Sequence, residues 1–90
     1  MLIAVTAQDK DGALDIRLAN RELHLAYLNA SDSVVFAGPL MTADDDMIGS
    51  LIVLEVADMA EAEAWADADP YAKAGLFETV KLHKWKRVIG

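Results

Sequence analysis

Two short stretches of this chain are apolar at every position, Leu2-Ile3-Ala4-Val5 and Leu51-Ile52-Val53-Leu54. A strand turns alternate side chains to opposite faces, so such runs ask for cover on both faces of their sheet. With 90 residues, the chain has material for one domain with one modest core. Its helices can cover one face, and something else must cover the other.

The rest of the chain tells what surrounds those runs. Leu2 to Ala7 reads as a first strand, ended by the loop signal Gln8-Asp9-Lys10-Asp11-Gly12. From Ala13 to Ala30 there is no glycine or proline, and Leu14, Leu18, Leu25 and Leu28 recur at helical spacing, which predicts a long first helix. Val34 to Ala37 is a β-prone run cut by Gly38-Pro39, and after a loop from Leu40 to Ile48 a third strand follows at Leu51 to Val56. Asp58 with Glu61 has capping-box spacing and opens an alanine-rich helix from Met59. Pro70 disfavours helical geometry at Asp69, can itself open a short turn, and Gly75 closes that turn. Phe77 to about Arg87 returns to strand chemistry, with Val80 and Leu82 alternating against polar residues.

The element order is therefore βαββαβ, and the expected class is α+β: a ferredoxin-like sandwich with both helices on one face of a four-stranded antiparallel sheet. An uncovered apolar sheet face is the kind of patch that marks an interface. The closed solution is a second copy of the chain, so a homodimer with stacked sheets is expected.

Composition removes several function classes. A net charge of −7 argues against nucleic acid and against an anionic membrane surface, both of which need concentrated lysine and arginine. The absence of cysteine excludes thiol nucleophiles, cysteine-ligated zinc and disulfides, and fits a cytoplasmic protein. The apolar N-terminus is far too short for a signal segment or a membrane span. A small anionic organic ligand remains compatible, because Arg17, Arg21 and His24 can form a local positive pocket on an acidic molecule.

Several ordered motifs run along the chain: Arg21-Glu22-Leu23-His24-Leu25 followed by Tyr27-Leu28, then Ala37-Gly38-Pro39, Gly49-Ser50, Ala64-Trp65 and Asp67-Ala68-Asp69-Pro70-Tyr71. Together they resemble the YciI-like (YCII-related) family, from the first strand to Lys84-Trp85-Lys86. The resemblance implies the ferredoxin-like fold, a dimeric α/β-barrel form and a His/Asp site. Some relatives of this family are associated with breakdown of chlorinated aromatic-derived lactones, which suggests elimination chemistry by analogy of fold.

The residues themselves supply the candidates. His24 is either an edge-of-core histidine with one hydrogen bond or a general acid/base, a role that suits an imidazole near neutral pH. Asp69 before Pro70 is a preferred helix cap, and its second oxygen remains able to orient His24; Asp32, just past the first helix, competes for that role. Helical projection places Arg21 inside the leucine stripe and Arg17 and His24 at its edge. An arginine placed there either has an anionic partner or reaches water by its long stem, and a buried pair is expected for Arg21. Tyr71 is a core ring or a pocket hydroxyl, and Gly49-Ser50 is a strand entry or the end of a loop over the site, where Ser50 can contact a ligand but lacks the surroundings of a serine nucleophile. His83 reads as a surface residue.

No metal is expected, since the spacing of zinc-binding histidines is absent and Arg17 and Arg21 repel a cation. No cofactor motif occurs. Two readings compete: a small enzyme in which His24, oriented by Asp69, moves a proton on a small organic acid or lactone (a lyase, isomerase or dehalogenase-like elimination), with Arg17, Arg21, Ser50 and Tyr71 binding the substrate; and a non-catalytic metabolite-binding or accessory dimer. Haem ligation by His24 is a third reading, which a visible absorption spectrum decides.

Overall fold

The computed structural model describes residues Met1–Gly90. Its elements are β1 (Leu2–Asp9), α1 (Leu14–Ala30), β2 (Val34–Met41), β3 (Met47–Glu55), α2 (Met59–Ala68), α3 (Pro70–Lys73) and β4 (Phe77–Lys84). The strands form one sheet in the order β2-β3-β1-β4, and every neighbouring pair is antiparallel. This is the ferredoxin-like βαββαβ arrangement. No helix is long and apolar enough to cross a membrane.

The two doubly apolar runs pair with each other in the middle of the sheet, Ile3 opposite Leu54 and Val5 opposite Ile52. Those four side chains pack with Val56 and with Ala62, Trp65 and Ala66 of α2 to make the main core. Asp58 caps α2 by accepting the Glu61 backbone N–H at 2.8 Å, while the Glu61 carboxylate reaches one residue past the cap and accepts the Ala57 N–H at 2.8 Å, a variant of the expected capping box. A smaller cluster of Ala13, Tyr71 and Leu76 ties the start of α1 to α3.

On the other face, Ala4 and Phe36 both pair with Val53. The C-terminal tail reaches this face, with the Trp85 ring edge-on to Phe36 at 6.1 Å and the Arg87 guanidinium 5.8 Å from the Phe36 centroid. Val53 is buried, yet Phe36 and Leu40 remain exposed.

Three expectations are corrected. β1 continues past Ala7 to Asp9, because Asp9 has a buried partner on α1 and so behaves as an interior residue. β2 runs through Gly38-Pro39 to Met41; proline is tolerated because β2 is an edge strand, where a missing N–H breaks no ladder. The segment expected as a loop from Leu40 to Ile48 is therefore mostly a hairpin, turning at Asp45 with φ 67°.

The third correction concerns the face that α1 buries. Its buried residues are Arg17 and His24, with Ile16, Asn20, Tyr27 and Leu28 half-buried. Leu14, Leu18 and Leu25 are 43%, 52% and 43% exposed, and Arg21 is exposed with them. The helix is rotated from the orientation its leucines favour because Arg17 and His24 both find polar partners inside, so burying them leaves no orphaned charge.

Candidate active site

The polar face of α1 looks across a gap at β2 and β3, and the gap is a cavity of about 140 Å³ lined by Arg17, Arg21, His24, Pro39, Ser50 and Tyr71 among others. An apolar cavity of about 150 Å³ admits a benzene ring, so this space suits one small ring.

His24 and Asp69 meet at its wall. His24 Nδ1 lies 2.8 Å from Asp69 Oδ1, and both side chains are buried. Asp69 sits between two helices, the C-cap of α2 and the N-cap of α3, at φ −58° and ψ 127°, the extended backbone that a following proline imposes. The same Oδ1 accepts the Tyr71 backbone N–H at 2.9 Å. Capping and orienting are thus done by one oxygen, where the sequence reading divided them between two. A carboxylate only accepts, so Nδ1 carries the hydrogen and the neutral ring presents Nε2 as an acceptor. Nε2 has no protein partner, and no buried side-chain nitrogen or oxygen in the structure lacks one, so Nε2 is open to the cavity. Asp32 is exposed on the loop after α1 and makes no bond to His24.

Tyr71 holds the imidazole flat. Its ring stacks on His24 with centroids 3.9 Å apart and planes at 15°, and Phe77 meets it edge-on at 6.0 Å. The Arg17 guanidinium lies 4.7 Å from the Tyr71 centroid. Tyr71 is therefore both a core ring and part of the cavity wall. Burial pushes its phenol above the ordinary value although Arg17 and Arg21 pull it down, and Asp69 adds to the rise.

Arg17 is the arginine with the buried anion. Its Nε and Nη2 donate to Asp9 Oδ2 and Oδ1 at 2.7 and 2.8 Å, and Nη2 also donates to Ser50 Oγ at 3.0 Å. Burial works against the charge, but the hydrogen bonds and attraction of Asp9 outweigh it and raise the Arg17 pKa. The expectation that Arg21 needs a buried partner is corrected: Arg21 makes no ion pair and reaches the cavity from its exposed side. Arg17 is already neutralised, so Arg21 is the unpaired cation there.

The structure thus brings His24, Asp69, Arg17, Arg21, Ser50 and Tyr71 together from α1, α3, β3 and the α2–α3 junction. Sequence reasoning missed Asp9, which looked like part of the polar loop that begins at Gln8. The available signal was parity: Asp9 continues the Ile3, Val5, Ala7 series that faces the helices. Gly49 is needed beside Ser50, because a Cβ there would run into the Ala7 carbonyl oxygen. No group of three or more His, Cys, Asp or Glu side chains is placed to hold a metal ion.

The model of the YCII-related domain matches residues 1–86. The chain belongs to the YCII-related domain family. It is 37% identical to Protein YciI of Escherichia coli O6:H1, over 99% of this chain and 100% of that protein, and 34% identical to an uncharacterized protein of Haemophilus influenzae over the same shares. Among solved structures it is similar to a 5-chloro-2-hydroxyhydroquinone dehydrochlorinase from Burkholderia phenoliruptrix in complex with 2,5-dihydroxybenzoquinone. That likeness has a TM-score of 0.88 at 34% identity, covering 96% of this chain and 94% of the other. An antibiotic biosynthesis monooxygenase shares the fold alone, with a TM-score of 0.57 at 14% identity over 97% and 100% of the two chains.

Proposed function

We propose that this YCII-related protein is a small-molecule enzyme that moves a proton on a compact, acidic, one-ring substrate through His24 and Asp69. The observation that carries the reading is the 2.8 Å contact between His24 Nδ1 and Asp69 Oδ1 with the second ring nitrogen facing a ring-sized cavity. Fixing one nitrogen against a carboxylate sets the tautomer and stabilises the imidazolium that forms when the other nitrogen takes a proton. Arg21 supplies the charge for an anionic oxygen, and Ser50 and Tyr71 line the same space.

The likeness to the dehydrochlorinase supports elimination on a hydroxylated ring as the chemistry. In such a step a proton first moves from one ring hydroxyl to the carbon that bears the leaving group, giving a ketone tautomer; His24 Nε2 then takes the proton of a second hydroxyl, the pair left behind forms a carbonyl, the adjacent double bond shifts, and the leaving group departs as an anion with its bonding pair. Tyr71 is held neutral by burial, which makes it a hydrogen-bond donor instead of a base. Organic acids and lactones with an acidic proton fit the same machinery.

The protein acts as a homodimer in this reading. Support comes from the sheet face opposite the helices, where exposed Phe36 and Leu40 border buried Val53.

The test is chloride release from chlorinated hydroxyhydroquinones by the purified full chain, followed alongside ring absorbance. Turnover supports the reading. Binding of hydroxyquinones without turnover of any halogenated or hydroxylated ring places the protein with the metabolite-binding modules.

A further inference from the structure

The hydrogen bonds around Ser50 have a fixed direction, and that direction says what a ligand must offer there. A guanidinium has only donors, so in the 3.0 Å contact between Arg17 Nη2 and Ser50 Oγ the serine oxygen is the acceptor. Ser50 keeps its own hydroxyl hydrogen. No backbone or side-chain acceptor of the protein takes it, and Ser50 lines the cavity. Arg17 cannot turn away to release the oxygen, because Asp9 grips it through two bonds of 2.7 and 2.8 Å with both side chains buried. The β1–β3 register sets this triad: Ala7 lies opposite Ser50, and Asp9 follows two residues along the same strand.

Resting on the reading of the cavity as a ligand site, we infer that Ser50 is an obligate hydrogen-bond donor to the ligand and that Asp9 and Arg17 are the positioning residues that make it one. Across the cavity His24 Nε2 has the opposite polarity and accepts. The site therefore selects a ring that carries an acceptor oxygen, a carbonyl or phenolate, facing Ser50 and an O–H facing His24. Hydroxyquinones and enolised dicarbonyls offer both, either as the neutral hydroxyl or, when ionised, as an oxyanion whose proton sits on Nε2; a ring with only hydrogen-bond donors leaves the Ser50 hydroxyl unsatisfied.

The test is equilibrium binding of 2,5-dihydroxybenzoquinone to the full chain and three variants, each first checked for a cooperative thermal melt. Ser50→Ala removes one hydrogen bond to a charged acceptor, so affinity falls roughly ten-fold. Arg17→Lys keeps a cation against Asp9 but loses the fork that holds Ser50, leaving the hydroxyl free to turn elsewhere, and affinity falls in the same direction. Because both changes act through the same hydroxyl, the double variant binds no more weakly than Ser50→Ala alone. A purely structural effect of Arg17→Lys would instead add to the loss from Ser50→Ala.

Unchanged affinity in Ser50→Ala, additive losses, or no binding to the parent chain at millimolar probe each overturn the assignment. If Arg17→Lys does not fold, Ser50→Ala decides the matter alone. Binding with this pattern but without turnover of any substrate removes the catalytic proposal and leaves this one standing.

Discussion

Asp9 and Arg21 show how far apart charge and consequence can lie on neighbouring surfaces. Asp9 neutralises a buried guanidinium, so Asp9→Asn should cost about 3–5 kcal/mol in a chemical-denaturation measurement, the usual effect of breaking a buried ion pair by removing one partner. Arg21→Ala, at an exposed unpaired cation, should change stability by less than about 0.5 kcal/mol. Equal effects would mean that the Asp9–Arg17 pair is hydrated in solution. The tyrosines give a second residue-scale prediction. Burial raises the pKa of both Tyr27 and Tyr71 in the fold, so the folded chain holds these protons more tightly than the unfolded chain. Their contribution is complete below the unfolded phenol value of about 10 and is lost as pH rises through the folded values. Thermal midpoints should therefore fall above pH about 10, and less steeply in Tyr71→Phe; a flat profile would mean that the phenols ionise freely in the fold.

At the scale of elements, strand and helix types were legible in the sequence because local chemistry decides them: the capping box at Asp58, the proline at Pro70, the doubly apolar central strands. The face that α1 buries was not legible. Leucine periodicity indicates which face is apolar, and here the polar face goes inside because Asp9, Ser50 and Asp69 wait there. Those partners come from other elements, so no window of α1 alone contains the information. The His24–Asp69 pair was legible through the family's motifs, whereas Asp9 was hidden by its loop-like neighbours Lys10, Asp11 and Gly12. Gly49 makes the element-scale prediction. Gly49→Ala should lower stability by about 1–3 kcal/mol, as overpacking does, since the added Cβ meets the backbone of β1. A neutral result would show that β3 separates from β1 beside Ser50 at little cost.

For the whole molecule, the sequence pattern left one face of the sheet without cover, and the C-terminal tail covers only part of it. Sedimentation at micromolar concentration should give twice the chain mass. A stable soluble monomer would mean that the tail, through Trp85 and Arg87 on Phe36, is cover enough. The net charge of −7 keeps the exterior acidic while Arg21 is an unpaired cation at the cavity, an arrangement that under the proposed function would draw a small anion to one place on an otherwise repelling surface.

Proton transfer by His24 set by Asp69 is tested most directly by the turnover rate of the parent chain beside His24→Gln and Asp69→Asn on a substrate the parent converts. All three chains must show intact melts, since Asp69 also caps α3. His24→Gln should lower kcat by about 10²–10⁴, the usual contribution of a positioned acid/base, and Asp69→Asn should lower it in the same direction, because an amide oxygen supports the imidazolium less well than a carboxylate. A folded His24→Gln chain that turns over at the parent rate would contradict the account.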